Sequence, residues 1–165
     1  MNFFKMLTSN YLINIGFLSC FTAQLIKTFL TFISTKTLVT ERLVGSGGMP
    51  SSHSALVCSL VVGMARKVGF ESPEFALSLM FAVIVMYDAM GVRRAAGEQA
   101  KVLNTMIFGF LKVSFNQDDD DDDQMSEVAS GLPNKALKEY IGHTPIEVLG
   151  GALLGILIAI IIPVI

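Results

Sequence analysis

Four apolar runs and one amphipathic stretch organise the chain. The first run, residues 11–33, is long enough at about 1.5 Å per residue to cross a bilayer core, and only Gln24 and Lys27 interrupt it near its end. The second, residues 51–68, follows Pro50, has Ser51 or Ser52 available to cap its start, and closes on Arg66 and Lys67. A tight connection leads to Pro73, a good first-turn residue, and to a third run over residues 73–90 with Asp88 near its end. In residues 91–113, Ala95, Ala96, Val102, Leu103, Met106 and Phe110 recur at helical spacing among Arg93, Arg94, Glu98 and Lys101. That pattern predicts a helix packed on the bundle rim or partly inserted. The fourth run, residues 145–165, has no polar side chain from Val148 onward. The pattern as a whole predicts an all-α integral membrane helical bundle of about four spans plus one amphipathic or short fifth helix. It forms a single multi-pass domain over residues 1–165 without internal repeats.

Composition supports that class. Apolar residues make up 52% of the chain and charged residues 16%, against roughly 25% charged in soluble domains. Residues 114–140 form a polar loop holding six consecutive aspartates, 118–123, which repel one another and stay solvated. Removing those six acids from a net charge of −2 leaves +4. Cys20 and Cys58 lie inside apolar runs and read as reduced packing residues. The first run continues past a signal-peptide length without a cleavage pattern, so it reads as a retained span. Gly151 and Gly155 form a small-xxx-small pair where another helix, or a second copy in a homo-oligomer, approaches closely.

Threading the four runs alternately through a bilayer puts the end of the first, the start of the second, the end of the third and the start of the fourth on one side. Lys27, Lys36, Arg42, His53, Asp88, Arg93, Arg94 and His143 then share one face, against Lys5, Arg66 and Lys67 on the other. The positive-inside bias turns the richer face toward the cytoplasm.

Three clusters on that face carry candidate chemistry. His143 and Glu147, four apart, share a helix face, so the carboxylate can hold one ring nitrogen and leave the other as a nucleophile. The same stretch, Thr144-Pro145-Ile146-Glu147, is also a capping box, in which Glu147 serves only the helix start. The Gly47-Gly48 pair and the helix start at Ser51 and Ser52 offer backbone amides and hydroxyls to an anion, with His53 beside them as a general acid. The plainer reading of this stretch is a flexible loop with a serine cap. Asp88 either pairs with an arginine or meets a histidine, while Arg93 and Arg94 match phosphate oxygens or merely pin a helix end. Lys27 snorkels to the interface, as such lysines ordinarily do, or supplies charge to the site.

The segments GGMPSSHSALV, IVMYDAMGVRRAAGEQAKVLN and GHTPIEVLGGALLG together resemble the divergent branch of the type-2 phosphatidic acid phosphatase and vanadium haloperoxidase superfamily. The superfamily pattern is K-x6-R-P, P-S-G-H and S-R-x5-H-x3-D. Pro50-Ser51-Ser52-His53 is similar to its second part, with Ser52 for glycine, and His143-x3-Glu147 to the end of its third, with glutamate for aspartate. Ala136-Leu137 stand where Ser-Arg is expected; Lys36-x5-Arg42 is one residue short, and Leu43 replaces the proline. Lys27 is a second candidate for the first-motif lysine. The resemblance implies that His143 attacks phosphorus, Glu147 orients it and His53 protonates the leaving alkoxide. Phosphate-binding is then expected from Arg93, Arg94, Ser51, Ser52, Gly48, Lys27 and Arg42, with Asp88 in support and no metal or cofactor.

The expected function is hydrolysis of a lipid or isoprenoid phosphate, with a membrane lipid as partner and no nucleic acid. A non-enzymatic protein that binds or moves anionic lipid head groups is the alternative. Vanadate-dependent halide oxidation rests on superfamily analogy alone, and a metal site from His53, His143 and Asp88 has no ligand spacing behind it.

Overall fold

The computed structural model describes residues 9–36, 48–115, 137 and 142–164. Five helices and no strands occur among them: α1 Tyr11–Thr35, α2 Ser52–Val68, α3 Pro73–Met90, α4 Val92–Phe115 and α5 Pro145–Ile161. Arg42, Gly47 and the aspartate run of the polar loop lie outside the described residues.

Local chemistry sets the helix ends. Asn10 caps α1, its side-chain oxygen accepting from the amides of Leu12 and Ile13. Ser51, Ser72 and Thr144 cap α2, α3 and α5 in the same way, and α3 and α5 begin with proline, whose missing N–H costs nothing in a first turn. Helix α5 stops at Ile161, short of the expected residue 165. Pro163 has no amide to donate and forces Ile162 into the extended region, where it is observed.

Helix α2 is the hub, packing against α1, α3 and α5. Its contact with α5 is the tightest. A Cβ on Gly151 would strike the Ser51 carbonyl, and one on Gly155 the Ala55 carbonyl, so only glycine permits this approach. Glycines 151 and 155 thus face Ser51 and Ala55 in the same order, and the two helices run parallel. The close approach expected at the glycine pair is therefore made within the chain. Both glycines are buried against α2. Helix α1 runs antiparallel to α2, with Gly63 against Tyr11, Leu12 and Ile15, and Gly16 against Leu56 and Leu60.

The interior is built of small and polar residues, including Ala23, Ala55, Ala82, Ala159, Ser19, Ser54 and Ser59. Large apolar side chains face outward: Phe17 is 68% exposed, Leu77 72% and Ile84 62%. A fold in water buries its large apolar groups, whereas a bundle in lipid gains nothing by doing so and packs through small residues. Helix α1 and the α3 portion of residues 73–107 are long and apolar enough to cross a membrane; α5 is a shorter apolar helix.

Candidate functional site

The helix arrangement gathers the predicted polar clusters at one end of the bundle. The Ser51 amide donates to the Glu147 carbonyl (3.0 Å), tying the starts of α2 and α5 together. The His143 amide donates to the Ala89 carbonyl (3.0 Å), tying the loop before α5 to the end of α3. Gly142, at φ +105°, lies directly on the Arg93–Arg94 backbone, a position closed to any side chain. The Gly142 contact and the two backbone hydrogen bonds thus place His143.

The His143 ring is 4% exposed, and its Nδ1 lies 3.2 Å from Glu147 Oε2. That same oxygen accepts from the Thr144 amide at 3.0 Å, while Thr144 Oγ1 accepts from the Glu147 amide. The capping and orienting readings of Glu147 are therefore compatible: one carboxylate does both. A carboxylate at Nδ1 favours the tautomer protonated there and leaves the lone pair on Nε2. Burial holds the His143 pKa below its ordinary value of 6.5; Glu147 raises it in part, and Lys27 and Arg93 lower it further.

Lys27 is 1% exposed, so it does not snorkel. Its charge acts on both His53 and His143, as does that of Arg93, and His143 also acts on His53. His53 itself is exposed on the first turn of α2. Asp88 pairs with Arg93, whose Nε donates to Oδ2 at 2.5 Å, rather than with a histidine. Arg94 is exposed, and its charge is not among those acting on either ring. Lys36, at the end of α1, is exposed too, which leaves Lys27 as the α1 lysine beside the histidines.

The two helix starts differ in what they leave available. At α5 the capping box and Pro145 use up most of the first-turn donors. At α2, Ser51 Oγ accepts from the Ser54 amide and hydroxyl, at 3.4 and 3.0 Å, while the Ser52 and His53 amides meet no acceptor among the described residues. An anion at the start of α2 would find those two amides, the positive end of the helix dipole and nearby cationic side chains. Gly48, at φ +87°, turns the chain just ahead of them. No cluster of three His, Cys, Asp or Glu side chains suited to a metal occurs among the described residues.

Sequence reasoning missed Asn104. It is buried, donates from Nδ2 to the Leu137 carbonyl and accepts from the Leu137 amide, both at 2.9 Å, so it anchors the segment leading to His143. The available signal was an amide side chain between Leu103 and Met106 on an otherwise amphipathic helix.

An all-α bundle with two histidines and buried cationic charge at one rim is the class these observations define. The chain belongs to the divergent PAP2 family, whose family model matches residues 8–158. It is 44% identical over 140 residues to the uncharacterized membrane protein YuiD of Bacillus subtilis (strain 168), covering 85% of each chain. No solved structure matches it significantly.

Proposed function

We propose that this chain is a multi-pass membrane phosphatase acting on a lipid or isoprenoid phosphate through a phosphohistidine. The observation that carries the reading is the buried His143–Glu147 pair with Lys27 charge beside it. His143 Nε2 attacks phosphorus as the P–O bond to the lipid breaks, and His53 gives its proton to the departing alkoxide. Water then attacks the phosphohistidine, giving its proton to His53; the P–N bond breaks and inorganic phosphate leaves. Lys27, Arg93 and the Ser52 and His53 amides stabilise the phosphoryl oxygens throughout. Ser51 holds that helix start in shape through its hydrogen bonds with Ser54, and Asp88 positions Arg93. Arg94, exposed at the same end, and Arg42, outside the described residues, complete the proposed set of cations.

The test is phosphate release from a panel of lipid and isoprenoid phosphates by purified protein. His143→Ala should lower the rate by at least about 10³-fold, as loss of a nucleophile does, and His53→Ala by about 10²-fold or more. Wild-type rates in both variants would remove the mechanism.

A non-catalytic binder of anionic head groups is the second reading. It draws support from Arg93, already engaged by Asp88, and from Ala136-Leu137 in place of the Ser-Arg pair. Binding of a lipid phosphate that persists in His143→Ala, with no turnover in the wild type, would favour it.

A further inference from the structure

We infer that α4 lies along the membrane interface, with its apolar arc in the acyl region and its polar arc in water, instead of crossing the bilayer. The inference rests on the membrane placement of the bundle and is independent of any phosphatase activity.

Over residues 92–107, α4 divides into three arcs. Gly97, Ala100 and Asn104 are buried, an i, i+3, i+7 line turned inward. Val92, Ala95, Ala96, Val102, Leu103 and Met106 form an exposed, mainly apolar arc in which Gln99 is the polar side chain, with Val92 65% and Met106 66% accessible. Arg94, Glu98, Lys101 and Thr105 form a separate exposed polar arc. Among the described elements α4 packs on α3 alone, so no other helix covers the apolar arc.

Three observations select the bilayer surface as the occupant. A crossing helix would hold Arg94, Glu98 and Lys101 against hydrocarbon, at a cost of roughly 2.5–3.5 kcal/mol for each charge near the centre. An interfacial helix leaves all three in water while its other face reaches the acyl chains. Next, Asn104 holds Leu137 by two hydrogen bonds, and Gly142 lies on Arg93–Arg94. Leu137 and Gly142 are thereby tied to two points on α4 about 15 Å apart along its axis. Were α4 to cross, the chain between those two points, which carries Lys138 and Glu139, would follow it into the hydrocarbon, where charges are costly. Finally, α4 carries Arg93, Arg94, Lys101 and Lys112 against Glu98, an excess of positive charge that suits anionic head groups. Because α4 starts beside the His143 loop, its placement sets that rim at head-group depth.

The test uses the full chain in vesicles of phosphatidylcholine and phosphatidylglycerol. With Cys20 and Cys58 replaced by alanine, a bimane label is placed through Val102→Cys, Met106→Cys, Lys101→Cys or Thr105→Cys. Labels at 102 and 106 should lose most of their fluorescence to a lipid nitroxide just below the head group and little to one at the acyl terminus. Labels at 101 and 105 should be quenched by aqueous iodide. A second measurement keeps the wild-type chain: a carbene-generating lipid reactive just below the head group should label Val102 to Met106 more than one reactive at the acyl terminus. Equal iodide access to both arcs would overturn the inference. So would quenching dominated by the deep nitroxide at all four positions. Cross-linking between copies through Val102→Cys, with both lipid quenchers excluded, would replace the bilayer with a second chain.

Discussion

The two ends of the α2–α5 pair use polar groups in opposite ways. At the far end, Arg66 is spent on structure: its guanidinium donates to the carbonyls of Ala159, Ile160 (3.2 Å) and Ile162 (2.8 Å) and to the Tyr11 hydroxyl (3.3 Å). Those carbonyls belong to the last turn of α5 or lie just beyond it, and a cation there meets the negative end of the helix dipole. At the near end two helix starts come together, and the Ser52 and His53 amides of one of them meet no acceptor among the described residues. The difference follows from helix polarity. Parallel packing puts two positive dipole ends at one rim and two negative ends at the other. One arginine can satisfy the second arrangement internally. The first leaves positive dipole ends that no such cation can oppose, and the charges of Lys27 and Arg93 act on the histidines there.

The largest expected effect comes from breaking what joins the two ends. Gly155→Leu would drive a side chain into the Ala55 backbone, which cannot yield as a flexible side chain would. We expect a loss of about 3 kcal/mol or more in reversible unfolding in detergent, with Arg66 capping and His143 placement lost together. A variant as stable as wild type would show that the close approach is not needed.

Glu147→Gln isolates the near end. Glutamine still serves a capping box, so thermal unfolding should stay near wild type. Loss of the charge behind His143 should lower turnover on the order of 10²-fold. If stability fell while turnover held, Glu147 would be only a cap.

Arg66→Ala isolates the far end. Removing a cation that binds several helix-end carbonyls should cost about 1–2 kcal/mol and leave kcat and KM of phosphate release unchanged. A change in turnover at constant stability would tie the far end to the chemistry.

The smallest effect is in pH dependence. Only the neutral His143 ring has a lone pair to attack with. Because burial holds its pKa below 6.5, the reactive form should persist on the acid side of that value and disappear as pH falls through the lowered pKa. Glu147 raises that pKa, so Glu147→Gln should move the acid limb of kcat/KM to still lower pH. A limb that moves upward would contradict the assigned contact.

Much of this was legible in the residue order. The apolar runs gave the helices, with α3 matched at both ends and α2 to within one residue, because proline, serine caps and terminal glycines act locally. Alternate threading brought His53, His143 and Arg93 to one rim, since helix order and direction suffice for that. The role of Lys27 was not legible: one lysine near a span end can bend outward or inward, and only the packing around it decides. Asn104 was equally hidden, because its partner is a backbone 33 residues away.

Sequence alone determined which segments are helical, that their outer surfaces are apolar, and which titratable groups reach a common end. Those properties depend on neighbours within a turn or two and on chain direction. Tertiary structure alone decided that α2 and α5 touch through Gly151 and Gly155, that Glu147 serves its helix and His143 with one oxygen, and that Lys27 lies inside. Each of these requires two segments distant along the chain to settle within a few ångströms of each other, a distance that close packing sets and local preference does not.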